Sequence, residues 1–202
     1  KKTDLIKSLE KHDFPESIIN AFKKVQRENF IPEEYKEHAY EDEALPIGLE
    51  QTISQPYTIA LMLNLLELRD RQKILEVGSG SGYVLALINE ISKNSEIYGI
   101  ERLKELAQKS KKVLKSYKNI KVYSGNGMDG LPDYAPFDRI IVSAGCREIP
   151  EKLFAQLKEN GIIVLPLGPE QDKALVSVRK INRRKTFVER IPGFRFVPLI
   201  GD

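Results

Sequence analysis

The chain has 202 residues, 41% hydrophobic and 30% charged, with a net charge of +3. That balance suits a globular fold with a core of its own, and 13 Gly with 11 Pro are too few for a disordered or collagen-like chain. No apolar run approaches the ~18 residues of a membrane helix, and no apolar stretch follows Lys1-Lys2-Thr3-Asp4, so neither a membrane span nor a secretory signal is expected.

The elements follow from hydrophobic period. Leu5, Ile6 and Leu9 predict a helix over 3–11. Pro15 opens a second helix with Ile18, Ile19, Phe22 and Val25 on one face. Residues 26–55 have no clear period and hold Pro32, Pro46 and Gly48, and so long an irregular stretch points to a functional segment. Pro56 starts a helix through Leu68. From Lys73 short apolar strands (73–77, 96–100, 120–124, 137–143, 162–167) alternate with helices (82–91, 103–114, 150–158), which predicts βαβ units and a mainly parallel sheet. Segments 174–179 and 185–191 alternate around Asn182-Arg183 as an antiparallel pair, and 196–199 is expected to close the chain. The expected fold class is therefore α/β. It is a doubly wound, mainly parallel, Rossmann-like sheet with antiparallel C-terminal edge strands and a helical N-terminal cap.

The strand at 73–77 runs into Gly78-Ser79-Gly80-Ser81-Gly82 and then a helix, the context that gives a glycine motif meaning. Glycines permit positive φ and close ligand approach, and a helix N-terminus offers free N–H groups. The spacing is G-x-G-x-G rather than the G-x-G-x-x-G of dinucleotide sites. Glu76 precedes the first glycine by two residues. A carboxylate there is a poor neighbour for pyrophosphate and suits an ammonium or sulfonium ligand. Glu101 ends the next strand, where acidic residues accept hydrogen bonds from ribose hydroxyls. Gly125-Asn126-Gly127 ends the third, and the Asn126 amide has both an acceptor and a donor to offer. Two alternatives stay open: Glu76 paired with a lysine, and Glu101 capping the helix after it.

Cys146 is the only cysteine, so an intrachain disulfide and a Cys-based zinc site are excluded, and a reducing cytoplasm is expected. Cys146 reads as a small core residue, and His12 and His38 as surface or packing residues. No metal site is expected. Lysines crowd 109–121 and basic residues 179–185, and both runs read as solvated faces rather than nucleic-acid contacts.

The E-x-G-x-G-x-G pattern resembles motif I of the class I S-adenosylmethionine-dependent methyltransferases. A more specific likeness lies upstream: Val25-x-Arg27-x-x-Phe30-x-Pro32, Ala39-Tyr40-x-Asp42, Leu45-Pro46-Ile47-Gly48 and Gln51-Thr52-Ile53-Ser54-Gln55-Pro56. Downstream come 137–142, Glu148-Ile149-Pro150, Asn160-Gly161, Pro166-Leu167-Gly168 and Phe196-Val197-Pro198-Leu199. Together these resemble the protein-L-isoaspartate O-methyltransferase family over nearly the whole chain. The resemblance implies methyl transfer from S-adenosylmethionine to the free carboxylate of L-isoaspartyl residues, and more weakly of D-aspartyl ones, in aged proteins. S-adenosyl-L-homocysteine is the other product. The ester then cyclises to a succinimide that hydrolyses partly to aspartate.

By resemblance Ser54 is the active-site residue, expected to orient the substrate carboxylate. Its alternative is a helix cap before Pro56. The expected cofactor set is Thr52, Ile53, Glu76, Gly78, Ser79, Gly80, Gly82, Glu101, Arg102, Asn126 and Gly127. A carboxylate with a pKa of roughly 3.5–4 is already ionised at neutral pH, so no general base is required. The sequence departs from the family at Asn126 (often Asp), at Val84 (often Gln) and over Ser143-Ala144-Gly145-Cys146-Arg147. Arg147 could hold an anionic peptide or simply be solvated.

One domain is expected over 1–202, with a cap and substrate loop at 1–70 and a cofactor-binding core at 71–202. Isoaspartyl peptides and proteins are the expected partners of a cytoplasmic monomer, without nucleic acid or membrane. Rival functions are a methyltransferase for a dedicated aspartyl peptide, a non-catalytic cofactor-binding module and a nicotinamide dehydrogenase. The glycine spacing speaks against the last.

Overall fold

The computed structural model describes residues 1–201. Two helices, α1 (Lys2–Glu10) and α2 (Glu16–Lys24), lead into two 3-10 turns, Arg27–Phe30 and Glu33–His38. A small hairpin of β1 (Leu45–Gly48) and β2 (Gln51–Ile53) follows, then α3 (Pro56–Leu65). The core alternates β3 (Lys73–Val77), α4 (Tyr83–Ile91), β4 (Glu96–Glu101), α5 (Lys104–Val113), β5 (Ile120–Ser124), β6 (Phe137–Val142), α6 (Glu151–Ala155) and β7 (Leu157–Leu167). The long strands β8 (Lys173–Ile181) and β9 (Arg184–Phe194) complete it.

The main sheet runs β5-β4-β3-β6-β7-β8-β9. The pairs from β5 to β7 are parallel, and β8 and β9 add antiparallel at one edge. The chain winds outward from β3 through β4 to β5, then returns to β6 on the other side of β3. That reversal opens a crevice at the carboxyl ends of β3, β4 and β6, where open α/β sheets bind ligands. The central strands are buried on both faces, which is why Ile74-Leu75-Glu76-Val77 reads as a continuous apolar run interrupted only by its carboxylate.

The two faces are covered unequally. Helices α1 to α5 pack their apolar stripes with Ile74, Ile97, Ile141 and Val164 in one large core. The other face, bearing Leu75, Tyr98, Val142 and Leu165, is covered mainly by α6 and loops. Buried Arg139 ties the layers together: its guanidinium donates to the carbonyls of Leu66 (2.7 Å) and Glu67 (3.1 Å), satisfying the C-terminal end of α3.

Two sequence expectations shift, and the closing segment takes its own form. The irregular 26–55 segment contains a hairpin, because Leu49 and Glu50 both take positive φ in a two-residue turn that neither residue type announces. Helix α6 is shorter than 150–158. Gln156 instead binds the 129–131 loop through both ends of its amide, and Leu157 pairs with Phe137. Residues 196–199 form no sheet strand but lie as a strap bridged to Gly145. The Asn182-Arg183 turn, with φ of 51° and 62°, matches expectation. Among the described residues no helix is long and apolar enough to cross a membrane.

Gly99 pairs with Glu76 across β3 and β4. A Cβ there would lie 2.7 Å from Leu85 Cδ1 and 3.0 Å from Ser79 Oγ, so α4 and the glycine loop sit against bare backbone. Gly99→Ala is expected to lower stability by about 1–3 kcal/mol in urea unfolding. An unchanged midpoint would contradict this packing.

Candidate active site

The glycine loop leaves β3 with φ of +75° at Gly78, +49° at Gly80 and +88° at Gly82. At Gly82 a side chain is doubly excluded, since a Cβ would come within 2.7 Å of Leu114 Cδ1. The Ile100 carbonyl at the end of β4 accepts from the N–H groups of Gly78 (2.9 Å) and Ser79 (3.2 Å). Glu101 then spans two loops: one oxygen accepts from Gly80 N–H and the other from Leu103 N–H, each at 2.9 Å. It thus steadies the start of α5 and the cofactor loop together, and each oxygen keeps a further lone pair for a ligand.

Glu76 is buried, with 1% of its surface exposed. One oxygen accepts from Ser143 Oγ at 2.7 Å, and Oε2 has no partner. Among the described residues no cation stands within ion-pair distance of it, so pairing with a lysine is excluded. Burial pushes its carboxyl up to about 8, against the pull of the Ser143 hydroxyl. Ser79 Oγ beside it is also buried without a partner.

Two adjoining cavities meet at this loop and share Ile47, Thr52, Gly78, Gly80 and Ser143. The larger, about 260 Å³, runs past Glu101, Arg102, Leu103 and Gly127 to the strap residues Val197–Ile200. The narrower one holds Ile53, Ser54, Glu76, Ser79 and Val84. All the sequence candidates therefore line one or the other except Gly82, which packs against α5, and Asn126. Asn126 is half-buried, and its amide oxygen accepts from Met128 N–H at 2.9 Å, closing its own turn. What it presents beyond that turn is its amide NH₂.

Ser54 does not cap α3. Asp42 does: its carboxylate accepts from Tyr57 N–H (2.8 Å) and from Gln55 Nε2 (3.1 Å), pinning the residues just after Ser54. Arg27, fully buried over the Tyr83 ring, holds the neighbouring Glu43 carbonyl at 3.1 Å. Sequence reasoning missed Ser143 as the partner of Glu76 and the strap as a wall of the site. The signal for Ser143 was its place at the carboxyl end of β6. No three His, Cys, Asp or Glu residues cluster with metal-ligand geometry among the described residues.

The profile of the protein-L-isoaspartate(D-aspartate) O-methyltransferase family matches residues 1–202. This chain belongs to that family. It is 44% identical over 189 residues to the protein-L-isoaspartate O-methyltransferase of Dictyoglomus turgidum, covering 93% of this chain and 84% of that one. A solved protein-L-isoaspartate O-methyltransferase superposes with a TM-score of 0.89 at 26% identity, covering all of this chain and 66% of the other. A family structure from Plasmodium falciparum, in complex with S-adenosyl-L-homocysteine, matches with a TM-score of 0.84 at 28% identity over 98% of both chains. Val84 places an apolar side chain in the narrower cavity.

Because Glu76 titrates near 8 when folded and near 4.5 when exposed, it binds more protons in the folded state between those values, and stability falls as pH rises through them. Without ligand, Glu76→Gln is expected to gain melting temperature relative to wild type from pH 5 to pH 8. A pH-independent difference would contradict the burial of an unpaired carboxylate.

Proposed function

We propose that this chain transfers a methyl group from S-adenosylmethionine to the free carboxylate of an isoaspartyl residue, and that Ser54 orients that carboxylate. What carries the assignment of roles is one juxtaposition: Ser54 shares a cavity with the glycine loop and with the partnerless oxygens of Glu76 and Ser79. Orphaned buried acceptors beside such a loop fit a ligand bearing an ammonium group, and a pyrophosphate fits them poorly. Glu76 and Ser79 would hold the amino-acid end of the cofactor. Glu101 would hold its ribose, with Thr52, Ile53, Gly78, Gly80, Arg102, Asn126 and Gly127 around the remainder and Gly82 fixing the loop. The bound cofactor supplies a methyl group on a positively charged sulfur, and S-adenosyl-L-homocysteine remains.

The substrate carboxylate is ionised at neutral pH and needs no proton removed. The protein's task is to place one oxygen in line and to keep water out, and orientation of this kind is worth up to roughly 7–11 kcal/mol of a barrier. The Ser54 hydroxyl donates to the carboxylate, and Asp42, through Gln55 and Tyr57, holds the turn that carries it. Within one domain over 1–202, residues 1–70 serve the substrate and 71–202 the cofactor. The lone cysteine supports a cytoplasmic site, and the net charge of +3 gives no reason to invoke nucleic acid.

Ser54→Ala is expected to slow single-turnover methyl transfer by about 10- to 100-fold, with affinity for S-adenosyl-L-homocysteine within a factor of about two. An unchanged rate would remove Ser54 from the mechanism.

A further inference from the structure

Behind the strap lies another cavity, of about 270 Å³, that shares Pro198 and Leu199 with the cofactor-side cavity. Lys173 lines it and is only 3% exposed. Its ammonium donates to the carbonyls of Gly168 (3.0 Å) and Cys146 (3.3 Å), which leaves the third donor without an acceptor among the described residues. Among the described residues no carboxylate lies within ion-pair distance of it. A buried charge is costly unless paired, so an ammonium held this way calls for an anion.

The position is built for this side chain. Lys173 crosses over Gly145, where a Cβ would lie 2.2 Å from its Cε and 2.7 Å from its Cδ. Gly145 in turn carries the strap, donating to Val197 O (2.7 Å) and accepting from Leu199 N–H (2.9 Å). Arg147, exposed on the same cavity, adds a second cation that makes no ion pair among the described residues. Glu148 and Glu170 also line the cavity, are exposed, and pair with neither cation. Their charge disfavours a dianion and leaves room for a single carboxylate.

We propose that this cavity is a carboxylate subsite, in which Lys173 and Arg147 take an acidic group at the back of the strap. The group is either borne by the substrate peptide near its isoaspartyl residue or is a free carboxylic acid. The peptide source rests on the proposed methylation of isoaspartyl peptides.

The test uses isoaspartyl peptides that differ only by Glu or Gln at one flanking position, taken in turn on either side. The readout is the ratio of kcat/KM for the Glu and Gln members of each pair, in which any general loss of stability or activity cancels. One position should favour Glu by about tenfold in wild type. The ratio should fall to near one in Lys173→Met and part of the way in Arg147→Ala. Should Lys173→Met fail to fold, Arg147→Ala and the decline of the wild-type ratio with ionic strength carry the test. In a second arm, acetate is titrated against melting temperature. A saturable rise in wild type that Lys173→Met loses, with all ratios near one, assigns the cavity to a free acid. Ratios near one at every position together with no acetate effect overturn the subsite. Failure to methylate any isoaspartyl peptide would strike the proposed activity instead, and the acetate arm would still report on the cavity.

Discussion

The site depends on two carboxylates buried at the carboxyl ends of adjacent parallel strands. Glu101, at the end of β4, spends both oxygens on backbone N–H groups from two different loops. Glu76, near the end of β3, spends one oxygen on Ser143 and leaves the other unmatched. The first arrangement fixes the geometry of the glycine loop. The second keeps an unsatisfied group where a ligand must arrive, and burial raises the pKa of Glu76 there. Glu101 thus fixes the loop and still keeps a lone pair on each oxygen for a ligand, whereas Glu76 leaves one oxygen wholly unpartnered.

Strand order turns this local chemistry into a site. Since β3 lies between β4 and β6, the glycine loop, Glu101 and Ser143 converge on one crevice although they are far apart in sequence. The opposite wall comes from the N-terminal cap. The β1–β2 hairpin brings Thr52, Ile53 and Ser54 over the loop, and Asp42 and Arg27 hold the segments behind them with buried polar contacts rather than regular secondary structure. The strap closes the remaining side, attached through Gly145.

Much of this was legible in the sequence because parallel strands buried on both faces must be continuous apolar runs, and a carboxylate within one stands out. Glu76 and Glu101 were visible for that reason. The β1–β2 hairpin was not: its strands are three and four residues long, and its turn uses Leu49 and Glu50, residues that seldom adopt positive φ. The capping role assigned in the alternative reading of Ser54 belongs to Asp42, a contact across 15 residues that no local pattern encodes. Asn126 closes its own turn with the oxygen that spacing offered to a ligand. Lys173 opens β8 one residue before the strand expected at 174–179, and only the fold and Gly145 reveal that its ammonium is enclosed.

The central claim is a crevice that presents an ionised isoaspartyl carboxylate to the methyl of S-adenosylmethionine without a general base. It is tested most directly with methyl-labelled cofactor and two peptides identical except for isoaspartate or aspartate at one position. Base-labile label is expected on the isoaspartyl peptide alone. Label on the aspartyl peptide, or on neither while the cofactor is bound, would contradict it.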